Sequence, residues 1–459
     1  MGPHPVSAQR AARVMLCGLV LWSGAGAASA ASGSAVPKDA QAAFEKRQYQ
    51  QALDELAKLD QARSGAPDVR RLKVRALVKL GKPKEALDEY DLLERTLKQD
   101  DEPVLRELAL GFIVVMVKDM REQMRGAAYT ALKEVESDEV VPYFEDGLSD
   151  GSGPVRVLAV EGLSQSEAGR KSKKLRGALD DQAGLVKARV IKVLGKSGDP
   201  SVLPLIEAAT KDDVPTVRTA AYGALVRMGR KEAWESLRQA AEAANPEDCA
   251  YALRTIADLK DQRGRALMRE FLTDKQPSVR GAAVRGLGQL GDIESRSRIQ
   301  LLLRDPVSAV REAAAMSLAD LGGDESVPAL TGQLADGSFT VRAATVAALL
   351  QLGQPFHVVA RTVTELVRQN DTAARASAAY ALGKATEANL AGAVSVLVGL
   401  SHDPLPGPKI VALRSLGHIG DRALVPIMKE ALHDTNEAVR STAGGALLRL
   451  LADKHQPGK

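Results

Sequence analysis

Aromatic residues make up only 3% of the 459-residue chain, against 45% apolar residues in all. A core with so few rings must be built from Leu, Val and Ala, which suits closely packed helices better than sandwiched sheets. An excess of one charge is also missing. Lys and Arg number 62 and Asp and Glu 58, a formal net charge of +4, so the chain lacks the basic footprint of a nucleic-acid binder. Beyond the first thirty residues no run of about 20 apolar residues occurs, so no membrane span is expected; "GFIVVMV" (111–117) is too short to cross and reads as a buried helix. The chemistry-bearing motifs are absent too. The six histidines are His4, His357, His402, His418, His433 and His455, with no His-Glu dipeptide and no H-x-x-x-H. There is no phosphate-cradling glycine loop, no G-x-S-x-G and no zinc cysteine set. No catalytic residue, metal or cofactor is read from the sequence.

The chain opens with "MGPHPVSAQRAARVMLCGLVLWSGAGAASA". Arg10 and Arg13 precede an apolar run from Val14, and Ala28-Ser29-Ala30 stands at a cleavage position. This is the pattern of a secretory signal peptide over residues 1–30, so the mature chain is expected to be periplasmic or extracellular. Val14-Met15-Leu16 before Cys17 lacks the small residues of a lipidation motif. Cleavage leaves Cys249 as the one thiol, so packing rather than disulfides must hold the fold. Its expected role is that of a small buried hydrophobe, and Trp234 is expected to be a buried anchor. Residues 31–37 read as a linker and 453–459 as a tail.

What the sequence has is a repeat. Arg125, Arg156, Lys187, Arg218, Cys249, Arg280, Arg311 and Arg342 lie 31 residues apart at each step. Arg375, Lys409 and Arg440 follow after steps of 33, 34 and 31, making eleven units. Six residues before these anchors stand Asp119, Asp150, Asp181, Asp212, Asp274, Asp305, Asp336, Asp403 and Asp434; Ala243 and Gln369 break the series. Seven residues after them the chain is Leu in every unit but one, which has Ile256. Such columns are structural, because a catalytic pair occurs once and a pair carried through most of eleven units is scaffolding. Within one unit Asp305 before Pro306 predicts an N-cap, Val310, Ala314, Leu318 and Leu321 form one apolar helical face, and Gly322-Gly323 ends the helix. Asp324 is then expected to cap the next helix. Each unit is a helical hairpin that buries its apolar face only by stacking on its neighbours.

The stretches "DPVSAVREAAAMSLADLGGD" and "PSVRGAAVRGLGQLGD" resemble HEAT repeats, in particular the short class named from bilin-lyase-like proteins. The resemblance covers roughly residues 102–452 and implies an all-α, right-handed α-solenoid. It implies that the Asp and Arg columns form ladders between adjacent hairpins: Asp150, Arg156, Asp181, Lys187, Asp212, Arg218, Asp274, Arg280, Asp305, Arg311, Asp336, Arg342, Asp434 and Arg440. Cys249 and Ala243 should interrupt that ladder. Ahead of the array, Ala52 and Ala86 are 34 apart, each followed by Leu-Asp-Glu. Residues 38–98 therefore resemble tetratricopeptide repeats, with Arg47 standing where the counterpart of Gly81 would be. "KQDDEP" (98–103) is the expected junction.

The columns five and nine residues after each anchor vary from unit to unit and point away from the apolar face. They contribute Glu161, Lys192, Lys196, Arg227, Arg254, Arg285, Met316, Tyr380 and Arg414. The resemblance implies that this stripe lines the concave side, with a modestly basic middle, and it is read as a protein-binding groove. The function expected is an exported, non-enzymatic scaffold or adaptor for a protein partner, with no nucleic acid bound. The resemblance also admits an enzyme in the manner of bilin lyases or metal-dependent hydroxylases, and a nucleic-acid binder in the manner of HEAT-like glycosylases. His402-Asp403 and His433-Asp434, in equivalent turns, read as turn residues rather than a site.

Overall fold

The computed structural model describes residues 35–452, which are helices and turns with no strand among them. The segment expected to be a signal peptide, with its expected cleavage position and Cys17, and the tail at 453–459 lie outside the described residues. Two hairpins come first: α1 (Lys38–Glu45) with α2 (Tyr49–Ala57), and α3 (Pro67–Lys79) with α4 (Pro83–Leu97). Ala40, Leu56, Val69 and Leu72 make a small core between them. The two hairpin turns share one conformation: Gly81 has φ +73° and Arg47 has φ +62°. Arg47 therefore adopts the left-handed form that its glycine counterpart takes freely, at a cost of about 1–2 kcal/mol. At the junction the Asp101 carboxylate accepts from the Val104 N–H at 3.3 Å and caps α5 (Glu102–Val114).

From there the chain alternates outer and inner helices. The inner helices are α6 (Glu122–Leu132), α7 (Gly153–Leu163), α8 (Gly184–Ser197), α9 (Pro215–Arg227), α10 (Pro246–Asp258), α11 (Pro277–Gln289), α12 (Ser308–Leu321), α13 (Phe339–Gln351), α14 (Thr372–Leu382), α15 (Pro406–Ile419) and α16 (Glu437–Leu450). Each packs on the next. The Leu and Ile seven residues after the anchors lie inside; Leu194, Ile256, Leu287, Leu318, Leu349, Leu382, Leu416 and Leu447 are all fully buried. Small residues set the helix spacing. A Cβ on Gly195, Gly288 or Gly417 would come within 2.9, 2.9 and 3.1 Å of the Cα of Ala224, Ser317 and Ala446 on the following inner helix. The "LG" of each such unit is thus a close approach between backbones, where a side chain would push the stack apart.

The capping expectations need correction. Helix α12 begins at Ser308, not at Pro306, and Val307 occupies its cap position without a side-chain bond. Asp305 instead closes a turn, its Oδ1 accepting from the Val307 N–H at 2.9 Å, while both its oxygens receive Arg280 of the preceding unit. The sideways demand of the arginine places the carboxylate in the turn rather than on the helix end. Asp324 opens a short 3₁₀ turn, 324–326, and makes no capping bond.

The array closes on itself. Helix α16 packs against α15 on one side and against α5 and α6 on the other, so the eleven inner helices form a closed cycle. The mean rotation per unit is therefore about 33° (360/11). Two adjacent glycines make the joint possible: a Cβ on Gly444 would lie 2.7 Å from the Ala109 carbonyl oxygen, and one on Gly445 2.8 Å from that of Ala131. Helix α16 is buried on nearly every face, as a helix with neighbours all round must be. Ion pairs stitch the same seam. Arg121 meets Glu437, Arg422 meets Glu102 at 2.8 Å, and Lys429 meets Glu94 at 2.6 Å and Asp100 at 2.7 Å. Among the described residues no helix is long and apolar enough to cross a membrane.

Candidate binding groove

The ladder residues take two bonds each, in different directions. Within a unit, the arginine donates to the backbone carbonyl of the aspartate six residues earlier: Arg156 to Asp150 O at 2.9 Å, Arg280 to Asp274 O at 2.7 Å, and Arg311 to Asp305 O at 2.8 Å. Between units, it pairs with the next unit's carboxylate. The rungs are Arg125–Asp150 (2.7 Å), Arg156–Asp181 (2.6 Å), Lys187–Asp212 (2.5 Å), Arg280–Asp305 (2.8 Å), Arg311–Asp336 (2.8 Å), Arg375–Asp403 (2.7 Å) and Lys409–Asp434 (2.6 Å). Burial alone would raise the Asp305 carboxyl, but Arg280 and the Val307 N–H outweigh it and hold it below the ordinary 3.8.

The rungs fail where the columns fail. Arg218 keeps only the Asp212 and Asp213 carbonyls, because Ala243 offers no carboxylate. Cys249 is buried, its Sγ 2.8 Å from the Ala241 carbonyl oxygen, and burial first and Asp274 second push its thiol up to about 11. Arg342, facing Gln369 instead of aspartate, bonds only backbone carbonyls and leaves its buried Nε unpartnered. Arg440 ends the series on the carbonyls of Asp434 and Thr435.

The variable stripe lies on the inside of the ring. Lys192 on α8 pairs with Asp258 on α10, reaching over α9, which is possible only on the side where helices converge. The middle helix presents Gly223 beneath this strut, and a Cβ there would meet Thr255 Cγ2 at 2.5 Å. Arg227 donates to the Asp258 carbonyl at 2.8 Å. These residues line a slit of about 20 Å³, so Lys192 and Arg227, two cations of the expected basic middle, are engaged within the chain. Glu161 is likewise engaged, by Lys133 at 2.7 Å and Arg189 at 3.2 Å. Lys196 is exposed and has no ion-pair partner among the described residues; desolvation first, then Lys192 and Arg227, push its pKa down.

The open part of the stripe lies further on. Arg285 (α11), Met316 (α12), Tyr380 (α14) and Arg414 (α15) line one cavity of about 630 Å³, joined by Glu312, Lys384 and His418. Its floor is Ala343 and Ala344 of α13 with Ala376 and Ser377 of α14, and the column that gives Arg285, Met316 and Tyr380 in nearby units holds Ala347 in α13. Tyr380 is 58% exposed, and the Lys384 ammonium stands 5.4 Å from its ring centre. Groove walls and then Arg254 push the Arg285 pKa down, and Glu312 partly restores it. Arg254 itself lies 6.0 Å from the Tyr251 ring. Among the described residues none of Arg254, Arg285, Lys384 and Arg414 has a carboxylate within ion-pair reach. Sequence reasoning had no place for Glu312 or the alanine floor. Their signal is the columns one and two residues after the anchor, which look like packing positions until the curvature is known.

Outside the groove, His402 pairs with Glu430 at 3.2 Å while His433 meets Asp91 of α4 at 3.4 Å, so the two equivalent turns do not form one site. Trp234 is half-buried rather than a core anchor, with the Arg263 guanidinium 4.1 Å over its ring. Its helix is an outer one, so one ring face meets solvent and takes a cation. Among the described residues no group of three or more His, Cys, Asp or Glu is placed to hold a metal.

Residues 172–249, 234–298 and 295–383 match the family model for HEAT repeats. No curated protein matches the chain. Among solved structures, the chain is similar to the CpcE–CpcF complex of phycocyanin lyase from a Nostoc species, with 20% identity over 47% of this chain and 94% of that one and a TM-score of 0.35. Kap121p aligns over 88% of this chain at 14% identity with a TM-score of 0.37, and the match spans 54% of Kap121p. Human deoxyhypusine hydroxylase aligns over 64% of this chain and 97% of its own at 20% identity, with a TM-score of 0.26.

Proposed function

We propose that the chain is an exported, non-enzymatic scaffold, a closed ring of helical repeats whose inner groove docks a segment of a protein partner. The observation that carries this reading is the contrast between columns. The Asp, Arg and Leu positions recur through the array, whereas the column five residues after the anchor, which puts Arg285, Met316, Tyr380 and Arg414 on the 630 Å³ cavity, varies along the array. A surface freed from the repeat's structural demands and gathered from five consecutive inner helices is built for one ligand. The signal-peptide pattern of residues 1–30 supports action outside the cytoplasm, in the periplasm or beyond. Residues 38–98 are read as tetratricopeptide-like hairpins that cap the ring and brace its seam. The test is affinity capture from envelope fractions with the wild-type chain and with Arg285→Glu and Tyr380→Ala. Loss of the same proteins from both variants is expected, and identical partner lists would reject the groove.

A further inference from the structure

Charge in the cavity is one-sided. Arg285 stands at one end and Arg414 at the other, with Lys384 between them on the Tyr380 lip, against the single carboxylate of Glu312. Elsewhere on the inner face several cations are neutralised by the chain itself, Lys133 by Glu161, Lys192 by Asp258 and Arg449 by Glu134, although Lys196 and Arg254 have no carboxylate within ion-pair reach among the described residues. The cavity cations are left for something else. Between them, the alanine floor of α13 leaves a recess bordered by Met316 and the exposed Tyr380 ring. A recess walled by thioether and aromatic surface favours a bulky apolar side chain, whose burial contributes about 1.5–3 kcal/mol.

From this geometry we propose that the groove selects an acidic peptide segment bearing one bulky apolar residue, with carboxylates placed on Arg285 and Arg414 and the apolar side chain seated between Met316 and Tyr380. This rests on the scaffold reading and gives its partner a chemistry. Arginines at both ends suit carboxylates, which they can receive through paired N–H donors. The low charge density of a peptide carrying a few carboxylates, rather than the continuous charge of a nucleic acid, matches a cavity with three unpaired cations.

The experiment is fluorescence anisotropy on the processed chain with three labelled peptides. These are Glu-Asp-Glu-Phe-Glu-Asp-Glu, the same peptide with Ala for Phe, and a version with Lys for every acidic residue; oligothymidylate serves as competitor. The Phe peptide is expected to bind about tenfold more tightly than the Ala form, and the Lys form not at all. Arg285→Glu with Arg414→Glu should weaken the Phe peptide by about tenfold or more. Tyr380→Ala should erase the difference between the Phe and Ala forms. These side chains lie in the cavity rather than the core, and an unchanged thermal melt shows that the variants fold. Equal binding of the Phe and Ala forms, binding of the Lys form, or displacement by oligothymidylate would overturn the proposal. If no peptide binds while envelope partners are still lost on groove substitution, the acidic-segment proposal fails and the scaffold reading stands. If the peptides behave as expected but partner lists do not change, the scaffold reading fails instead.

Discussion

Seven of the ten joints between successive inner helices carry the same charged rung, and the eleventh joint, which closes the ring, is built differently. At an interior joint such as α11–α12, an arginine ties its own turn to the next carboxylate, and a glycine meets a small residue across the helix pair. At the closing joint no rung spans α16 and α6. Two consecutive glycines let α16 lie against α5 and α6, and ion pairs drawn from loops and outer helices replace the ladder. An interior joint is specified once and copied. The closing joint is specified by residues that match no column, because it must accept whatever rotation ten copies have accumulated.

Acid acts on the rungs of the interior joints, and this is the largest effect expected. The rung carboxylates of Asp150, Asp181, Asp212, Asp305, Asp336 and Asp434 are all held below the ordinary 3.8. A depressed folded-state value contributes stability that is fully present above 3.8 and lost as pH falls through the lowered values. Urea midpoints should therefore change little through the ladder between pH 7 and pH 5 and drop steeply below about pH 4. A midpoint that falls steadily from pH 7 would deny the rungs that role.

Steric substitution separates the joints next. Replacing Gly444 and Gly445 together by Leu drives two side chains into the Ala109 and Ala131 backbones, at a cost of about 2–6 kcal/mol. The radius of gyration from small-angle scattering should rise as the ring opens, because the interior joints can survive without the seam. Within the ladder, Arg280→Ala strands the Asp305 carboxylate, whose side chain is 4% exposed, and should cost about 3 kcal/mol in chemical denaturation. Arg218→Ala, at a joint that already lacks its rung, should cost about 1 kcal/mol. Equal losses would mean that the inter-unit pair adds nothing beyond the carbonyl bonds. The smallest effect is a gain: Ala243→Asp supplies Arg218 with the missing carboxylate and should raise stability by about 0.5–1 kcal/mol.

These contrasts also mark what a reader of the sequence can and cannot see. The solenoid class was legible because the 31-residue period forces the same leucine and anchor inward in every unit. Interruptions were legible for the same reason, since Ala243 and Cys249 stand out against their columns. Closure was not, because it depends on a rotation of about 33° per unit summed over eleven units, which no single unit displays. Its local trace is Gly445, preceded by Gly444, in the column where other units carry Arg285, Met316 or Tyr380. The groove was half legible for a related reason. Variable columns identify the inner face, but which of their charges stay free depends on struts such as Lys192–Asp258 that reach over a whole unit.

The central claim is that the ring is shut, and electron–electron resonance between two spin labels tests it directly. With Cys249→Ala as background, cysteines replacing Glu122 at the start of α6 and Thr435 just before α16 carry the labels. A closed ring predicts one narrow, short distance, that of neighbouring helices whose axes lie about 10 Å apart. A broad distribution centred at several times that separation would show an open solenoid and contradict the account.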